Sequence, residues 1–180
     1  MTVLESQRLI LDAARESDVP AIADALADFD IAKNLATAPH PYSEKDARDF
    51  LVRAAEGRAR GEDYCFAIRR KTDDLVLGCC GLHLKKGTYE IGYWIAKPFW
   101  RQGFATEAAA RLVEFAFADL KAAEVWAGWY HDNPFSGRVL GKLGFTADHV
   151  AKQHSLARGV DVLCNRARLT AADFGRKRAA

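Results

Sequence analysis

Three apolar runs of strand length follow one another through the middle of the chain, with only a short polar connector between one run and the next. The runs cover residues 64–70, 75–84 and 88–95. A parallel pair of strands needs a crossover of a dozen or more residues, whereas antiparallel neighbours can be joined by tight turns. The three runs therefore predict an antiparallel meander at the centre of one sheet.

Helical and strand patterns alternate on either side of this meander. Helical spacing of apolar residues is found in segments 19–28, 43 to about 60, 103–120 and 133–144, and further strands are predicted at 8–14, 124–130, 145–155 and 160–169. This order predicts an α+β fold with a central mixed, mostly antiparallel sheet flanked by helices. A chain of 180 residues, of which 49% are hydrophobic, is large enough to bury one core, so we expect a single domain over residues 1–180.

Charge and hydropathy exclude several function classes. The 26 Lys and Arg residues are nearly balanced by 24 Asp and Glu, and a net charge of +2 favours neither nucleic acid nor an anionic membrane as a partner. No apolar run approaches the roughly 18 residues of a membrane helix, and the first residues do not resemble a secretory leader. We therefore expect a cytoplasmic protein that does not act at a membrane.

The cysteines and histidines do not predict a metal site. Four cysteines lie in apolar runs without Cys-x-x-Cys spacing, namely Cys65, Cys79, Cys80 and Cys164. This placement is typical of buried reduced thiols rather than of zinc ligands or disulfides. Since no His and carboxylate spacing resembles a metal site either, we expect no metal cofactor.

The stretch PFWRQGFATEA connects the last strand of the meander to the longest predicted helix. It places six residues at the free amino end of that helix: Arg101, Gln102, Gly103, Phe104, Ala105 and Thr106. The first N–H groups of a helix lack internal partners and favour phosphate, and Gly103 permits close approach of a ligand to the backbone. An ordinary strand-to-helix turn that uses glycine for its geometry explains the pattern equally well. The stretch is neither a P-loop nor a Gly-x-Gly-x-x-Gly fingerprint.

A second segment gives this stretch a more specific interpretation. YEIGYWIAKPFWRQGFATEAA and the later HDNPFSGRVLGKLGF together resemble the GNAT acyltransferase superfamily, and in particular its RimJ/RimL-like branch. Gly103 and Ala105 match the last two fixed positions of the family's cofactor loop, Gln/Arg-x-x-Gly-x-Gly/Ala. Its first position is Trp100 here, a departure that is similar to the aromatic residues of this branch. QRLIL near the amino terminus and LATAPHPYSEKDARDF extend the resemblance over nearly the whole chain.

The resemblance implies a site for acetyl-CoA between the strands predicted at 88–95 and 124–130. The pyrophosphate would bind the backbone N–H groups of residues 101–106, and a backbone N–H near Ile95 would hold the oxyanion of the tetrahedral intermediate. Asn133 would hydrogen-bond the pantetheine arm, or act as a helix cap, or do both. Arg138 either faces the cofactor or is a solvated surface residue.

The resemblance also implies candidates for proton transfer. An ammonium group is not a nucleophile, so the amine must first lose a proton to a base such as a carboxylate. Glu90 stands where many GNAT enzymes place a glutamate and is the candidate base, or else faces solvent. Leu140 occupies the position of the tyrosine that many members use as the acid. Ser136 matches the serine of the RimJ/RimL-like branch and is the candidate donor to the leaving thiolate, or else bonds local backbone.

The candidates for lining the acceptor site are a tyrosine and several histidines. His40 and Tyr42 fall between the first two helices, a segment that lines the acceptor site in this family. His83 is a further candidate, as is His131, although scattered histidines often pack or cap. The resemblance implies direct transfer to a primary amine, with a protein N-terminal amine of the ribosomal-protein type favoured over a small molecule. A non-catalytic acyl-CoA-binding module is the alternative, and a homodimer is compatible with the sequence.

Overall fold

The computed structural model describes the backbone of residues 2–179 and the side chains of residues 2–176. The strands are β1 (Leu4–Glu5), β2 (Leu9–Asp12), β3 (Asp63–Arg70), β4 (Val76–Lys85), β5 (Thr88–Ile95), β6 (Glu124–Tyr130), β7 (Thr146–Ser155) and β8 (Val160–Thr170). The helices are α1 (Val19–Ala27), α2 (Phe29–Ala32), α3 (Glu44–Ala59), α4 (Phe104–Ala118), α5 (Pro134–Leu143) and α6 (Ala171–Ala179).

The strands form one mixed sheet in the order β1-β2-β3-β4-β5-β6-β8-β7. Within the described part of the chain, every pair of neighbouring strands is antiparallel except β5 and β6. The predicted meander is confirmed as β3-β4-β5, and the predicted α+β fold with a mostly antiparallel sheet flanked by helices is confirmed with it. The single parallel junction matters for function because it is short.

Helices cover both faces of the sheet. The long helix α4 packs on one face of the sheet, and the apolar residues that predicted it are buried there at Ala108, Ala109, Leu112, Val113 and Ala116. Helices α1 and α3 cover the other face around a second cluster that contains Ile22 and Ala47. The residues of β5 accordingly alternate between the two faces, with Ile91 in the α4 cluster and Trp94 against the second cluster.

A buried ion-pair network joins β2, β3 and the start of α1. The Arg69 side chain is 2% exposed, and its guanidinium donates to Asp12 Oδ1 at 2.7 Å and to Asp18 Oδ1 at 3.1 Å. Asp18 immediately precedes α1, and its carboxylate also accepts from the Arg15 N–H at 2.7 Å. The Asp18 carboxylate therefore binds Arg69 and makes no side-chain cap to α1.

The sequence analysis did not predict three elements that are short or polar. Strand β1 has two residues and α2 has four, both too short to show a periodic pattern. Helix α6 follows β8 directly and is dominated by charged and small residues, so it lacks the apolar spacing that marks a helix face. None of the helices in the described residues is long and apolar enough to cross a membrane.

Candidate active site

The sheet opens between β5 and β6. Their parallel pairing covers only Tyr89–Ile91 and Val125–Ala127, although β5 continues to Ile95 and β6 to Tyr130. On the other edge, β5 stays paired with β4 along its whole length. The two strands therefore diverge beyond Ile91 and leave a wedge-shaped opening between them.

The backbone of β5 presents polar groups to this opening. The Ala96 N–H donates to the Leu77 carbonyl at 2.7 Å, which fixes the hydrogen-bond phase of the β4–β5 ladder. Along a strand, the N–H and C=O groups of successive residues point alternately to the neighbour on one side and to the neighbour on the other. Because Ala96 points to β4, the N–H and C=O groups of Tyr93 and Ile95 point away from β4. The predicted donor at Ile95 consequently points into the opening.

The connection from β5 to α4 has the backbone conformation of an anion-binding loop. Arg101 and Gly103 are both left-handed, with φ of 61° and 82°, on either side of Gln102. Successive N–H groups in such alternating conformations converge on a small concavity that suits anions. Gly103 provides no side-chain cap to α4, which begins at Phe104. The first N–H groups of this 15-residue helix, including those of the predicted Ala105 and Thr106, are the unpaired donors of a helix start.

Side chains of this loop hold its shape. The Trp100 indole N–H donates to the Ile95 carbonyl at 2.6 Å, and the Gln102 amide donates to the Pro98 carbonyl at 3.1 Å. The aromatic residue at the first motif position therefore stabilises the loop from within. Gln102, predicted as a cofactor contact, uses its side chain in the same way and offers its backbone to the ligand.

Two residues that the sequence analysis missed anchor the loop to the edge of the sheet. Arg8 donates from Nε to Glu107 Oε2 at 2.7 Å and from Nη1 to the Gln102 carbonyl at 3.1 Å, and its guanidinium stacks 4.4 Å from the Phe104 ring centroid. Burial alone would raise the pKa of Glu107, but hydrogen bonds from Arg8 and Ser6 outweigh burial and lower it. The sequence did contain a signal for this pair, namely the acidic Glu107 in the first turn of α4. A carboxylate at a helix start would repel a bound anion unless a cation such as Arg8 neutralises it.

The start of α5 lies beside the opening. Asn133 Oδ1 accepts from the Ser136 N–H at 3.3 Å, so Asn133 is the cap of this helix. Gly137 packs so closely on β6 that a Cβ there would stand 2.8 Å from Nε1 of Trp129. A glycine at this position therefore allows α5 to approach the sheet and brings Asn133 and Ser136 to the edge of the opening.

Ser136 forms a hydroxyl pair with Tyr93 of β5. The two hydroxyl oxygens are 3.0 Å apart, and the Tyr93 hydroxyl also lies 3.2 Å from the Ser136 carbonyl oxygen. Burial raises the pKa of Tyr93 to about 12, against the opposing effect of the hydrogen bond with Ser136. Tyr93 therefore keeps its hydroxyl hydrogen and can donate a hydrogen bond beside Ser136, and the sequence analysis did not identify it.

The two predicted cofactor arginines meet over one exposed aromatic ring. The Arg138 guanidinium lies 4.4 Å from the ring centroid of Phe135, and that of Arg101 lies 5.9 Å from it. Phe135 is 56% exposed. The arrangement places two cations and an open aromatic face between the α4 loop and the start of α5.

Three glycines lie next to one another on the α1–α3 face of the sheet, opposite α4, and we call this region the glycine trough. They are Gly81 of β4, Gly92 of β5 and Gly128 of β6. Gly81 is the register partner of Gly92, and Gly128 follows the last β6 residue paired with β5. The missing side chains leave room for neighbouring ones, since His83 lies over Gly81 and Arg166 over Gly128, whereas the atom nearest to a Cβ on Gly92 would be 3.8 Å away. The glycine trough lies where the β5–β6 opening begins.

Glu90 and Arg166 border the glycine trough as a bidentate ion pair. Arg166 lies across Gly128 and donates to both carboxylate oxygens of Glu90, at 2.9 and 2.8 Å, while the Lys85 ammonium is 3.3 Å away. Burial alone would raise the pKa of Glu90, but its hydrogen bonds and the charges of Arg166 and Lys85 outweigh burial and lower the pKa. The predicted base is therefore a charged and firmly held carboxylate.

The other predicted acceptor residues are placed differently from one another. His83 lies at the glycine trough, with Nδ1 2.9 Å from Asp63 Oδ1. Tyr42 packs against the second hydrophobic cluster beside Trp94, and burial raises its pKa to about 12. His40 is exposed and contacts Phe29 of α2 at 5.1 Å between ring centroids. His83 thus lies at the glycine trough, Tyr42 packs between the sheet and helices α1 and α3, and His40 lies on the outer surface.

The pattern of an open β5–β6 junction, an anion-binding loop at α4 and a polar trough on the opposite face agrees with the comparisons with known proteins. Residues 8–146 match the family model described as Acetyltransferase (GNAT) domain. The chain belongs to this family and is a GNAT N-acetyltransferase.

Individual relatives agree with this assignment. The uncharacterized N-acetyltransferase p20 of Bacillus licheniformis is 26% identical over 162 residues, which cover 88% of this chain and 90% of p20. RimJ of Mycobacterium smegmatis, solved with CoA-disulfide, has a similar fold, with a TM-score of 0.85 at 19% identity over 96% of this chain and 89% of RimJ. The Salmonella typhimurium enzyme that modifies the N-terminal serine of ribosomal protein L7/L12 gives a TM-score of 0.81 at 20% identity, covering 94% and 99% of the two chains.

Proposed function

We propose that the chain transfers the acetyl group of acetyl-CoA directly to a primary amine, and that the reaction takes place at the β5–β6 opening. The observation that carries this proposal is the early end of the β5–β6 ladder, which leaves the Ile95 N–H pointing into the gap. A donor fixed in this way can stabilise the negative charge that develops on the thioester oxygen. Acetyl-CoA supplies the activated acyl group and a thiolate leaving group.

The residues around the opening fit the parts of this cosubstrate. The pyrophosphate is proposed to bind the backbone N–H groups of residues 101–106, where two left-handed residues and a helix start converge. Arg101 and Arg138 provide positive charge over Phe135 for the remaining phosphate or the adenine ring. Asn133 is proposed to contact the pantetheine arm with the part of its amide that does not cap α5.

The acceptor is proposed to enter through the glycine trough. Glu90 forms a cluster with Arg166 and Lys85, and its carboxylate is proposed to contact the acceptor amine as a hydrogen-bond acceptor. Tyr42 and His40 are proposed to border the acceptor further out. Ser136 and Tyr93 are proposed to supply the proton that the leaving thiolate takes up.

We propose a protein N-terminal amine as the acceptor, in the manner of ribosomal-protein acetylation. The similarity of this fold to RimJ and to the Salmonella L7/L12 enzyme supports the proposal. We also propose that the protein is cytoplasmic and that residues 1–180 form a single domain. One sheet continues through the described residues, and residues 1 and 180 lie outside them.

A thiol-release screen with acetyl-CoA tests the acceptor class. Peptides with a free N-terminal serine or alanine should stimulate release of CoA thiol, and the same peptides with a blocked N-terminus serve as the matched control. Stimulation by the free peptides alone supports the proposal. Stimulation only by amino acids, polyamines or aminoglycosides would replace the protein acceptor with a small molecule, and stimulation by none of them would count against acetyl transfer to amines.

The Ser136–Tyr93 pair gives a second prediction. Ser136→Ala and Tyr93→Phe should each lower kcat by about tenfold to a hundredfold, because each removes a member of the proton-donating pair. The double variant should be little worse than either single variant, since the two hydroxyls act as one unit. Steady-state kinetics and a CoA binding isotherm check this, and the isotherm should be unchanged.

Tyr89→Phe is the matched control for Tyr93→Phe. Tyr89 is on the same strand and face, but its hydroxyl donates to the Gly61 carbonyl at 3.3 Å, away from the opening. The Tyr89→Phe variant should keep kcat within about twofold of the unchanged chain, because the hydroxyl that it lacks is not at the opening. The lost hydrogen bond to the backbone should lower stability by only about 1 kcal/mol. Equal losses in Tyr89→Phe and Tyr93→Phe would show that the effect is structural.

A further inference from the structure

His83 and Asp63 form a second pair of titratable groups at the glycine trough. They are register partners on β4 and β3, and His83 Nδ1 lies 2.9 Å from Asp63 Oδ1. The Asp63 carboxylate is itself packed against α3, since a Cβ on Gly57 would stand 2.5 Å from Asp63 Oδ2. The carboxylate is therefore fixed from one side by a helix and from the other by the imidazole.

This contact determines which nitrogen of His83 is available. A carboxylate without a proton only accepts hydrogen bonds, so the neutral tautomer of His83 that fits this contact donates from Nδ1 and leaves the Nε2 lone pair free. Nε2 makes no hydrogen bond within the described part of the chain, and the His83 side chain is 39% exposed. The ring thus offers a directed and accessible proton acceptor.

The lone pair is placed at the beginning of the opening. Nε2 lies 3.2 Å from the Cβ position of Gly81 and 3.8 Å from that of Gly92. Gly92 is the first β5 residue beyond the last β5–β6 register pair. Both carboxylate oxygens of Glu90, in contrast, already accept hydrogen bonds from Arg166.

We propose that His83 Nε2 is the base that takes the proton from the acceptor amine, and that Asp63 is the residue that positions it. This inference rests on the proposed function of the same site. The acceptor ammonium first gives one proton to Nε2, and the nitrogen lone pair so released forms the new N–C bond. The second N–H proton then passes to solvent. The electrons of the C–S bond leave with sulfur, which takes a proton from water or from the Ser136–Tyr93 pair, and that pair regains it from solvent. The imidazolium returns its proton to solvent.

The test is a His83→Ala variant with chemical rescue. We expect kcat to fall by about a hundredfold or more, the KM for the amine and the Kd for acetyl-CoA to change by less than about threefold, and added imidazole to restore activity in a saturable manner. The Asp63→Asn variant should lose kcat by about tenfold at unchanged KM, because an amide can hold the imidazole in the wrong tautomer. If His83→Ala folds poorly, His83→Gln keeps the side-chain length and should show the same loss of kcat.

The chain provides a matched control pair. His154 Nδ1 lies 2.9 Å from Asp161 Oδ1 between β7 and β8, with both side chains exposed and outside the trough. His154→Ala should therefore retain full activity and show no response to imidazole. Glu90→Gln should mainly raise the KM for the amine and should not be rescued by imidazole.

The outcomes separate this inference from the proposed function. If the unchanged chain transfers acetyl to an amine but His83→Ala keeps its kcat within about threefold, the assignment of His83 is overturned. A folded His83→Ala variant that loses activity without any imidazole response would likewise show a structural role. If the unchanged chain shows no amine-stimulated thiol release, the proposed function itself fails.

Discussion

A Gly103→Val variant is expected to bind CoA at least about tenfold more weakly than the unchanged chain. Gly103 has a φ of 82°. Holding a β-branched residue in this left-handed region strains the backbone by about 1–3 kcal/mol. A loss of about 1.4 kcal/mol in binding free energy corresponds to a factor of ten in affinity. The loop would relieve this strain by rotating its N–H groups out of the concavity formed with Arg101. Isothermal titration with CoA measures the effect.

Gly87→Val is the matched control for this prediction. Gly87 has nearly the same φ, 84°, and a Cβ added there meets nothing within 4 Å, but it lies in the turn between β4 and β5. The two variants should therefore lose similar stability, whereas only Gly103→Val should lose CoA affinity. Equal CoA affinity for the two folded variants would contradict the assignment of the pyrophosphate to the α4 loop.

The Arg69→Ala variant is expected to lose about 3–5 kcal/mol in its free energy of unfolding. Arg69 is 2% exposed and binds both Asp12 and Asp18, so its removal leaves two carboxylates at the junction of β2 and α1 without their main partner. Losing one member of a buried ion pair is costly because the remaining charge is desolvated and uncompensated. Urea unfolding followed by circular dichroism measures the change.

The neighbouring Arg70 supplies the comparison. Its guanidinium pairs with Asp73 in the exposed turn after β3, where solvent screens the charges. Arg70→Ala should therefore change the free energy of unfolding by no more than about 1 kcal/mol. Similar losses in Arg69→Ala and Arg70→Ala would mean that the buried network does not hold β2, β3 and α1 together.

The fold was largely predictable from the sequence because its main elements carry local patterns. The meander β3-β4-β5 followed from short connectors between apolar runs, and α4 followed from the helical spacing of its apolar residues. The predicted loop at residues 101–106 was a local inference as well, since a strand, a glycine and a helix start lie next to one another in the chain. What local patterns could not provide was the short length of the β5–β6 pairing, which opens the site.

The paired side chains of the site were not predictable, because each pair depends on register between distant segments. Glu90 and Arg166 are 76 positions apart, Tyr93 and Ser136 are 43 apart, and Asp63 and His83 are 20 apart. The family resemblance presented Glu90 as the candidate base, with a solvent-facing carboxylate as the alternative. The register places Arg166 against it and lowers its pKa, and the same register brings Asp63 to His83.

The most direct test of the account is mass spectrometry of a peptide with a free N-terminal serine and an internal lysine, incubated with acetyl-CoA and the unchanged chain. We predict a single added acetyl group, located by fragmentation on the α-amino nitrogen, and no product when the enzyme is omitted. Acetyl groups found only on the lysine side chain, or an unmodified peptide in the presence of bound acetyl-CoA, would contradict transfer to a protein N-terminal amine at the β5–β6 opening.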